Sequence, residues 1–403
     1  MNNQFTTYRL GEVADIIAGG DKPKVFSLDK TELAYVPVLA NAEKSNGLLG
    51  YTDTSRITEP AVTLAARGSN VGFVAVRKEP FFPVVRLLSL IPDKERLDVD
   101  YLFYNLKQNR KKGTGSGQPQ ITIPDISGKT ISMPSLSEQK KVAKVLSTLD
   151  EKIELNNRIN TELEAIAKTL YDYWFVQFDF PDANGKPYKS SGGKMVYNAV
   201  LKREIPEGWS DKTLSQIANI TMGQSPAGSS YNEEGIGTIF YQGSTDFGWL
   251  FPSTRQYTTA PSRMAKKGDI LLSVRAPVGD MNIANTDCCI GRGLATLNSK
   301  TGSDGFLFYV MKYFKQIFDR RNSEGTTFGS ITKNDLHSLT LAHPTADLLE
   351  KYDEVVTNYN KMIFERSLEN RELVSLRDWL LPMLMNGQVT VKPSTESKEA
   401  QHG

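Results

Sequence analysis

The chain is written twice. Ile121-Thr122 and Ile331-Thr332, Asp125 and Asp335, Ile126 and Leu336, Pro134 and Pro344, Asn160 and Asn370, and Glu162-Leu163 and Glu372-Leu373 all stand at one constant offset of 210 residues. A fixed offset held from Ile121 to Leu163 is a duplication. With small gaps it extends upstream, where Leu10, Val13, Ala14, Ile16 and Gly19 pair with Leu214, Ile217, Ala218, Ile220 and Gly223, and Tyr101-Leu102-Phe103-Tyr104 resembles Phe306-Leu307-Phe308-Tyr309. Positions where the copies agree read as scaffold; positions where they differ read as separate targets. Two similar units on one chain suit a partner that is itself bipartite or two-fold, such as duplex DNA or a pair of identical proteins.

At 403 residues the chain is long enough for two domains, each with its own core. The apolar share of 39% and charged share of 23% describe an ordinary folded protein. There is no run of about 18 apolar residues and no charged-then-apolar leader before Tyr8, so no membrane association and a cytoplasmic location are expected. Cys288 and Cys289, adjacent in sequence, make neither a disulfide framework nor a metal knuckle and read as strand residues. Net charge is only +2. The stretches Glu138 to Asp172 and Asp347 to Asp378 are each net acidic, so the positive excess falls on the globular parts, where a polyanion can be held.

Residues 1–134 carry short β-type runs (Val71 to Val76, Val84 to Ile91, Ile121 to Ile123) punctuated by Gly, Pro and Asn, the pattern of a mixed α+β domain. The pattern then changes. Val142, Leu146, Leu149, Ile153, Asn156, Asn160, Leu163, Ala167, Leu170 and Trp174 alternate spacings of four and three, a coiled-coil seam inside a helical segment 135–178. Ser135 or Ser137 caps it. A helix of about forty residues reaches roughly 60 Å, a spacer length. The second helix, 345–388, repeats the seam at Tyr352, Val356, Tyr359, Ile363, Arg366, Asn370, Leu373, Arg377, Leu380 and Leu384, now loaded with two arginines. One helix cannot bury such a stripe alone, so the two copies are expected side by side and antiparallel; the alternative is that each packs on its own domain. Asn156, Asn160 and Asn370 would fix register. A polar connector, 179–206, joins the copies, the second domain spans 207–344, and a tail, 389–403, is expected to be disordered.

No catalytic constellation is visible. His337, His343 and His402 build neither a metal cluster nor a serine triad. Gly192-Gly193-Lys194 lacks the earlier glycine of a phosphate-binding loop, and Met195 replaces its hydroxyl residue. There is no Asn-Pro-Pro-aromatic run and no glycine-rich loop suited to S-adenosylmethionine; Pro92-Asp93 with Glu95 reads as an acidic turn. No cofactor and no metal are therefore expected. What recurs is a basic helix end followed by a Gly/Ser/Thr loop. The first copy has Lys107, Arg110, Lys111 and Lys112 before Gly113 to Gln120, including Ser116, Gln118 and Gln120; the second has Arg320 and Arg321 before Gly325 to Ser330, including Thr326. Such loops approach phosphates closely, and Arg, Gln and Asn read base edges. The competing reading is cations matched to a helix C-terminus before a glycine stop. Further candidates are Lys22, Lys24, Arg67 and Asn70, and in the second copy Gln224, Ser225, Arg255, Arg263, Arg275 and Arg292, each also readable as a solvated surface residue.

Several phrases resemble a known family. They are Asn370-Arg371-Glu372-Leu373-Val374-Ser375-Leu376-Arg377-Asp378 followed by Leu380-Leu381-Pro382-Met383-Leu384-Met385-Asn386-Gly387, the connector from Asp179-Phe180-Pro181 to Gly192-Gly193, Glu204-Ile205-Pro206-Glu207-Gly208-Trp209, and the helix entry Leu136-Ser137-Glu138-Gln139. Together they are similar to the specificity subunit of type I restriction-modification enzymes, over essentially the whole chain. The resemblance implies an α+β fold with two pseudo-two-fold-related mixed α/β target recognition domains, separated by two long antiparallel helices that form a coiled-coil spacer. It implies that each domain reads one half of a split, asymmetric double-stranded DNA site, and that the spacer sets the gap and docks two modification (methyltransferase) subunits. Restriction/translocase subunits would complete the complex, leaving this chain non-catalytic. The first helix departs from the pattern by ending in Tyr171-Asp172-Tyr173-Trp174-Phe175 instead of Leu-Leu-Pro. A two-headed protein-binding scaffold without DNA readout and a stand-alone DNA-modifying enzyme are the alternatives from other classes.

Overall fold

The computed structural model describes residues 5–109, 120–323 and 330–392. In chain order its α-helices are Val99–Gln108 (α1), Ile123–Ser127 (α2), Leu136–Tyr171 (α3), Leu214–Ile217 (α4), Asp304–Ser323 (α5), Lys333–Ser338 (α6) and Ala346–Met385 (α7). The chain forms two compact units that do not follow the sequence as two consecutive blocks. Unit 1 comprises residues 1–155 together with 370–403, and unit 2 comprises 156–369, so α3 and α7 each contribute to both.

The units share a main sheet and a closing ribbon, while their second sheets differ, with three strands in unit 1 and five in unit 2. In unit 1 a four-stranded antiparallel sheet runs in the order Ala14–Ala18, Leu88–Pro92, Ala61–Leu64, Val74–Arg77; in unit 2 the same order is Ala218–Met222, Leu294–Ser299, Ile270–Ser273, Met281–Ile283. Each unit adds a parallel pair in a second sheet, Val36–Leu39 with Phe82–Pro83 and Thr238–Tyr241 with Cys288–Ile290. Each closes with an antiparallel ribbon that brings the segment before the long helix back to the start of its copy, Thr6–Arg9 with Thr130–Met133 and Ser210–Thr213 with Thr340–His343. Cys288 and Cys289 are strand residues, fully buried and free.

The short helices repeat to the atom. Thr122 and Thr332 each accept the N–H three residues on while Asp125 and Asp335 accept back from the threonine N–H at 2.9 and 2.8 Å, a reciprocal capping box. This corrects the expected strand at Ile121 to Ile123, because the capping threonine followed by Pro124 starts a helix at Ile123. The expected run Val84 to Ile91 is shorter as well. Val85 and Arg86 lie at φ 53° and 57°, and the strand begins only at Leu88.

Within unit 1, Val142, Ala143 and Leu146 of α3 share a core with Leu381, Leu384 and Met385 of α7 and with Tyr101, Leu102 and Leu106 of α1. Each such side chain contributes about 1.5–3 kcal/mol by leaving water. The seam residues Leu149, Ile153, Leu373 and Leu380 are half-buried, and so is Asn370. Within unit 2, Asn156 Nδ2 donates to Glu369 Oε2 at 2.7 Å, Asn160 Nδ2 to Ser367 Oγ at 3.2 Å, and the Tyr352 hydroxyl to the Ala167 carbonyl at 3.5 Å. Partners that climb one helix as they descend the other define antiparallel packing. Ile363 is buried there, and Leu163, Leu170 and Tyr359 are half-buried. The seam arginines are accommodated differently. Arg377 bonds Asp150 at 2.7 Å, whereas Arg366 reaches back to its own helix at the Met362 carbonyl, 3.3 Å away.

Two local features depart from a plain polar linker. After Tyr171 the helix widens into a π-turn, Asp172–Val176, which turns Trp174 and Phe175 onto Tyr352 with ring centroids 5.9 and 4.9 Å apart. Phe178, just after that turn, joins the core of unit 2 together with Phe180 and Ile205 of the connector, which also forms the hairpin Met195–Asn198 with Arg203–Pro206. Asp179 accepts both the N–H and the hydroxyl of Ser190, at 2.7 and 2.6 Å. Those bonds hold its carboxyl below the usual range.

Candidate nucleic-acid interface

In both units the loops that leave the paired sheets meet at one exposed rim. The rim of unit 2 is built from three chain segments that touch through glycine. A Cβ on Gly223 would lie 2.2 Å from the Gly291 carbonyl oxygen, so only glycine permits this approach. Gly223 is the counterpart of Gly19, where a Cβ would meet the Pro83-Val84 backbone at 2.8 Å. Beside Gly223, the Gln224 N–H donates to the Ile290 carbonyl at 3.0 Å and its own carbonyl accepts from Ser262 Oγ at 2.5 Å. Ser225 Oγ accepts from Gln242 Nε2 at 2.9 Å and from the Arg292 N–H at 3.2 Å. The Arg263 carbonyl accepts from Ile290 at 2.9 Å. Gln224, Ser225, Arg263 and Arg292 are thereby joined in one hydrogen-bonded group, with the side chains of Gln224, Arg263 and Arg292 exposed.

Arg275 follows the strand Ile270–Ser273 and forms an antiparallel bridge with Ser330, the first described residue after position 323. The adjacent Ile331 N–H donates to the Val274 carbonyl at 2.8 Å. Unit 1 repeats this. Arg67 bridges Gln120, its guanidinium donates to Gln120 Oε1 at 3.1 Å, and the Ile121 N–H donates to Ala66 at 2.9 Å. An exposed arginine therefore stands beside the exit of the Gly/Ser/Thr segment in both copies. Asn70 lies in the turn that follows Arg67, its carbonyl accepting from Phe73 at 2.9 Å. Lys22 sits over the Phe26 ring at 3.5 Å, and Lys24 is exposed on the same loop.

Arg255 differs from the rest. It is tied to Asp246, with Nε 3.0 Å from Oδ1, and that hydrogen bond raises its pKa. Arg320 and Arg321 fall in the last turn of α5. Arg110, Lys111, Lys112, Ser116, Gln118 and Thr326 lie outside the described residues.

The rim also contains residues that the sequence did not single out. Asn41 accepts the Ala66 N–H at 2.9 Å and donates to the Val85 carbonyl, tying the Arg67 strand end to the strained pair Val85-Arg86. A β-branched residue at positive φ is a backbone outlier that persists only where its surroundings impose it. Here they do so through Val85 and Arg86 N–H bonds to the Gly20 and Gly19 carbonyls at 3.0 and 3.1 Å. In unit 2, Gln242 follows the strand Thr238–Tyr241 and bonds Ser225 at 2.9 Å. A glutamine followed by Gly243 at the end of an aromatic strand was the available signal for it; Arg86, inside an apolar run, gave none.

The described residues of the rim present guanidinium, ammonium and amide groups. Groups of that kind are suited to hold phosphates and to read base edges. Among the described residues, no group of three or more His, Cys, Asp or Glu is placed to hold a metal ion.

The family model described as type I restriction modification DNA specificity domain matches residues 2–165 and 206–361, once on each copy. A putative type I restriction enzyme MjaX specificity subunit from Methanocaldococcus jannaschii is 32% identical over 337 residues, which span 80% of this chain and 76% of the relative. The MjaIX specificity subunit of the same organism is 26% identical over 405 residues, 93% of this chain and 88% of the relative. In fold, the chain matches the crystal structure of the type I restriction-modification system S subunit from M. genitalium with a TM-score of 0.64 at 18% identity, covering 98% of each chain.

Proposed function

Because this chain belongs to the type I restriction-modification DNA specificity family, we propose that its two repeats read the two halves of one split, asymmetric double-stranded DNA site, while partner subunits carry out the chemistry. Two repeated specificity domains on one polypeptide fit a bipartite target. The observation that carries the reading is the repeated rim. The same backbone frame presents Arg67 and Gln120 in one unit and Arg275 and Ser330 in the other, so one scaffold offers two different recognition surfaces.

On this reading 1–134 and 207–344 are the target recognition domains, 135–178 and 345–388 the spacer helices, and 179–206 the connector. Lys22, Lys24, Arg67, Asn70, Arg86 and Gln120 face the first half-site; Gln224, Ser225, Gln242, Arg263, Arg275 and Arg292 face the second. The chain is non-catalytic, uses no cofactor, and acts in the cytoplasm, where its DNA is. No helix among the described residues is long and apolar enough to cross a membrane. Two modification subunits dock on the spacer, and restriction/translocase subunits complete the assembly. Apolar side chains left exposed on the long helices support such docking: Leu155, Leu376 and Trp379 in unit 1, and Ile166, Val355 and Met362 in unit 2.

The test is a domain exchange. Replacing residues 1–134 with those of a relative, then mapping methylated positions genome-wide, should change one half of the recognised sequence and leave the other intact. A change in both halves refutes independent readers. Absence of duplex binding with partner subunits present favours a protein-binding scaffold, and methylation by the chain alone favours a stand-alone enzyme.

A further inference from the structure

Each unit passes from the parallel pair of its second sheet into its main sheet through a tight turn at the rim, Val84 to Leu87 in unit 1 and Gly291 to Leu294 in unit 2. The Leu87 N–H closes the first turn onto the Val84 carbonyl at 3.0 Å, and the Leu294 N–H closes the second onto the Gly291 carbonyl at 3.0 Å. The flanking bonds match as well. Val84 and Gly291 donate to the Leu39 and Tyr241 carbonyls at 2.9 and 2.8 Å, and the Leu87 and Leu294 carbonyls accept from Gly19 and Gly223 at 2.8 and 2.9 Å. Val85 therefore corresponds to Arg292, and Arg86 to Gly293.

The two turns differ in hand. Val85 and Arg86 lie at φ 53° and 57°, whereas Arg292 and Gly293 stay out of the left-handed region. In unit 2 the Gly293 carbonyl accepts the Val274 N–H at 2.9 Å. In unit 1 the counterpart of that N–H, on Ala66, goes to Asn41 Oδ1 at 2.9 Å, while Asn41 Nδ2 donates to the Val85 carbonyl. Asn41 thus makes good the bond that the reversed turn gives up. Packing does not account for the reversal, because Val85 is 57% exposed, an apolar side chain held in a conformation that a β-branched residue resists. Its surroundings are basic. Arg86 follows it, Arg67 follows the Ala66 that Asn41 holds, and a Cβ on Gly20, whose carbonyl accepts the Val85 N–H, would lie 2.9 Å from Arg56 Nη1.

We propose that this turn carries a base-reading tip in each unit: Val85 meets the 5-methyl group of a thymine in the first half-site, and Arg292, at the corresponding position, reads a guanine in the second. In the major groove the thymine methyl is the apolar group that base pairs offer, and guanine O6 and N7 match a guanidinium. Contact with a methyl group calls for an exposed apolar side chain among cations that hold the phosphates, which is what the reversed turn presents. The inference rests on the reading of two half-site recognition domains and names, in each, the residue that sets one base pair. Each tip acts within its own unit.

The test uses the complex with its modification subunits and duplexes carrying the mapped site. Thymines of the first half are replaced singly by deoxyuracil, which lacks only the methyl group, and guanines of the second half singly by 7-deazaguanine, which lacks N7. At one position in each half the wild-type complex should lose affinity, about fourfold for the methyl group and about tenfold for the guanine contact. Val85→Gly removes the side chain and suits the positive φ, so it should melt no lower than wild type and yet bind the thymine and uracil duplexes alike. Val85→Ala, which keeps the turn stiffer, should give the same binding result, and Arg292→Ala should lose the response to 7-deazaguanine. A mapped first half without an A·T pair, a wild-type complex that discriminates base pairs but ignores every uracil, or Val85 variants that keep the wild-type response overturns the assignment of Val85. A second half without guanine, or an Arg292→Ala complex still sensitive to 7-deazaguanine, overturns that of Arg292. If the wild-type complex ignores the bipartite site altogether, the half-site reading falls and takes this inference with it.

Discussion

Replacing Asn160 with leucine should raise the stability of this protein. Asn160 is 1% exposed at the helix seam of unit 2; its Nδ2 donates to Ser367 Oγ at 3.2 Å, while its Oδ1 is buried without a partner among the described residues. The substitution forfeits one neutral hydrogen bond, about 1 kcal/mol, but removes an unsatisfied buried carbonyl whose desolvation costs about 1–3 kcal/mol. Ser367 Oγ keeps its own acceptor, the Ile363 carbonyl at 2.7 Å. The added apolar surface contributes about 0.8 kcal/mol per buried methylene, offset by about 1 kcal/mol of crowding at the low end of the overpacking range. The balance is about 1 kcal/mol in favour of leucine, which for a unit of this size raises the melting temperature by about 2–4 °C. Calorimetry on the full chain reads it. Asn160→Ala separates the terms, because it removes the same carbonyl but leaves a void, and it should fall below wild type. A leucine variant that melts several degrees below wild type would refute the reasoning and show that the seam depends on the asparagine carbonyl.

Three further perturbations have defined outcomes. Arg67→Ala and Arg275→Ala should each lower the slope of log affinity against log salt by about one, the loss of a single phosphate contact; unchanged slopes in anisotropy titrations would remove both residues from the interface. Gly223→Ala forces a Cβ to 2.2 Å from the Gly291 carbonyl oxygen and should cost about 1–3 kcal/mol in denaturant titration with weakened DNA binding, and wild-type values in both would mean that the rim adjusts freely. His343, packed edge-on to Phe306, has its pKa lowered by burial and then by Lys212. The unfolded chain therefore binds this proton more readily, so the stability it contributes is present above the unfolded pKa of about 6.5 and is lost as pH falls. His343→Gln should flatten the decline between about pH 7 and pH 5, and an unaltered profile would acquit this residue.

What the sequence made legible was what repeats. The fixed offset revealed the duplication, and the alternating spacing revealed the seam, because both are periodic signals that survive without tertiary context. Thr122-Ile123-Pro124-Asp125 was legible too, as a capping box, yet the flanking isoleucines drew it toward a strand. Other features depended on contacts distant in sequence. Gln139 reads as an ordinary first-turn polar residue, but it is buried and bonds Arg96, Asp98 and Pro134. Phe180 and Ile205 lie in a polar connector and still complete a core. Val85 and Arg86 look like strand residues, and only the Gly19, Gly20 and Asn41 bonds bend them away. In the candidate interface Arg67 and Arg275 could be found by composition, whereas Asn41, which ties the Arg67 strand end to Val85, could not.

Unit 1 is not finished by the residues that begin it. Its core includes Leu381, Leu384 and Met385, some 240 positions after Val142, so this unit can close only after residues far downstream have been made. A stop codon anywhere between positions 156 and 369 would therefore strip unit 1 of part of its own packing, and recombination within the intervening stretch must preserve the fit between the two segments that share its core.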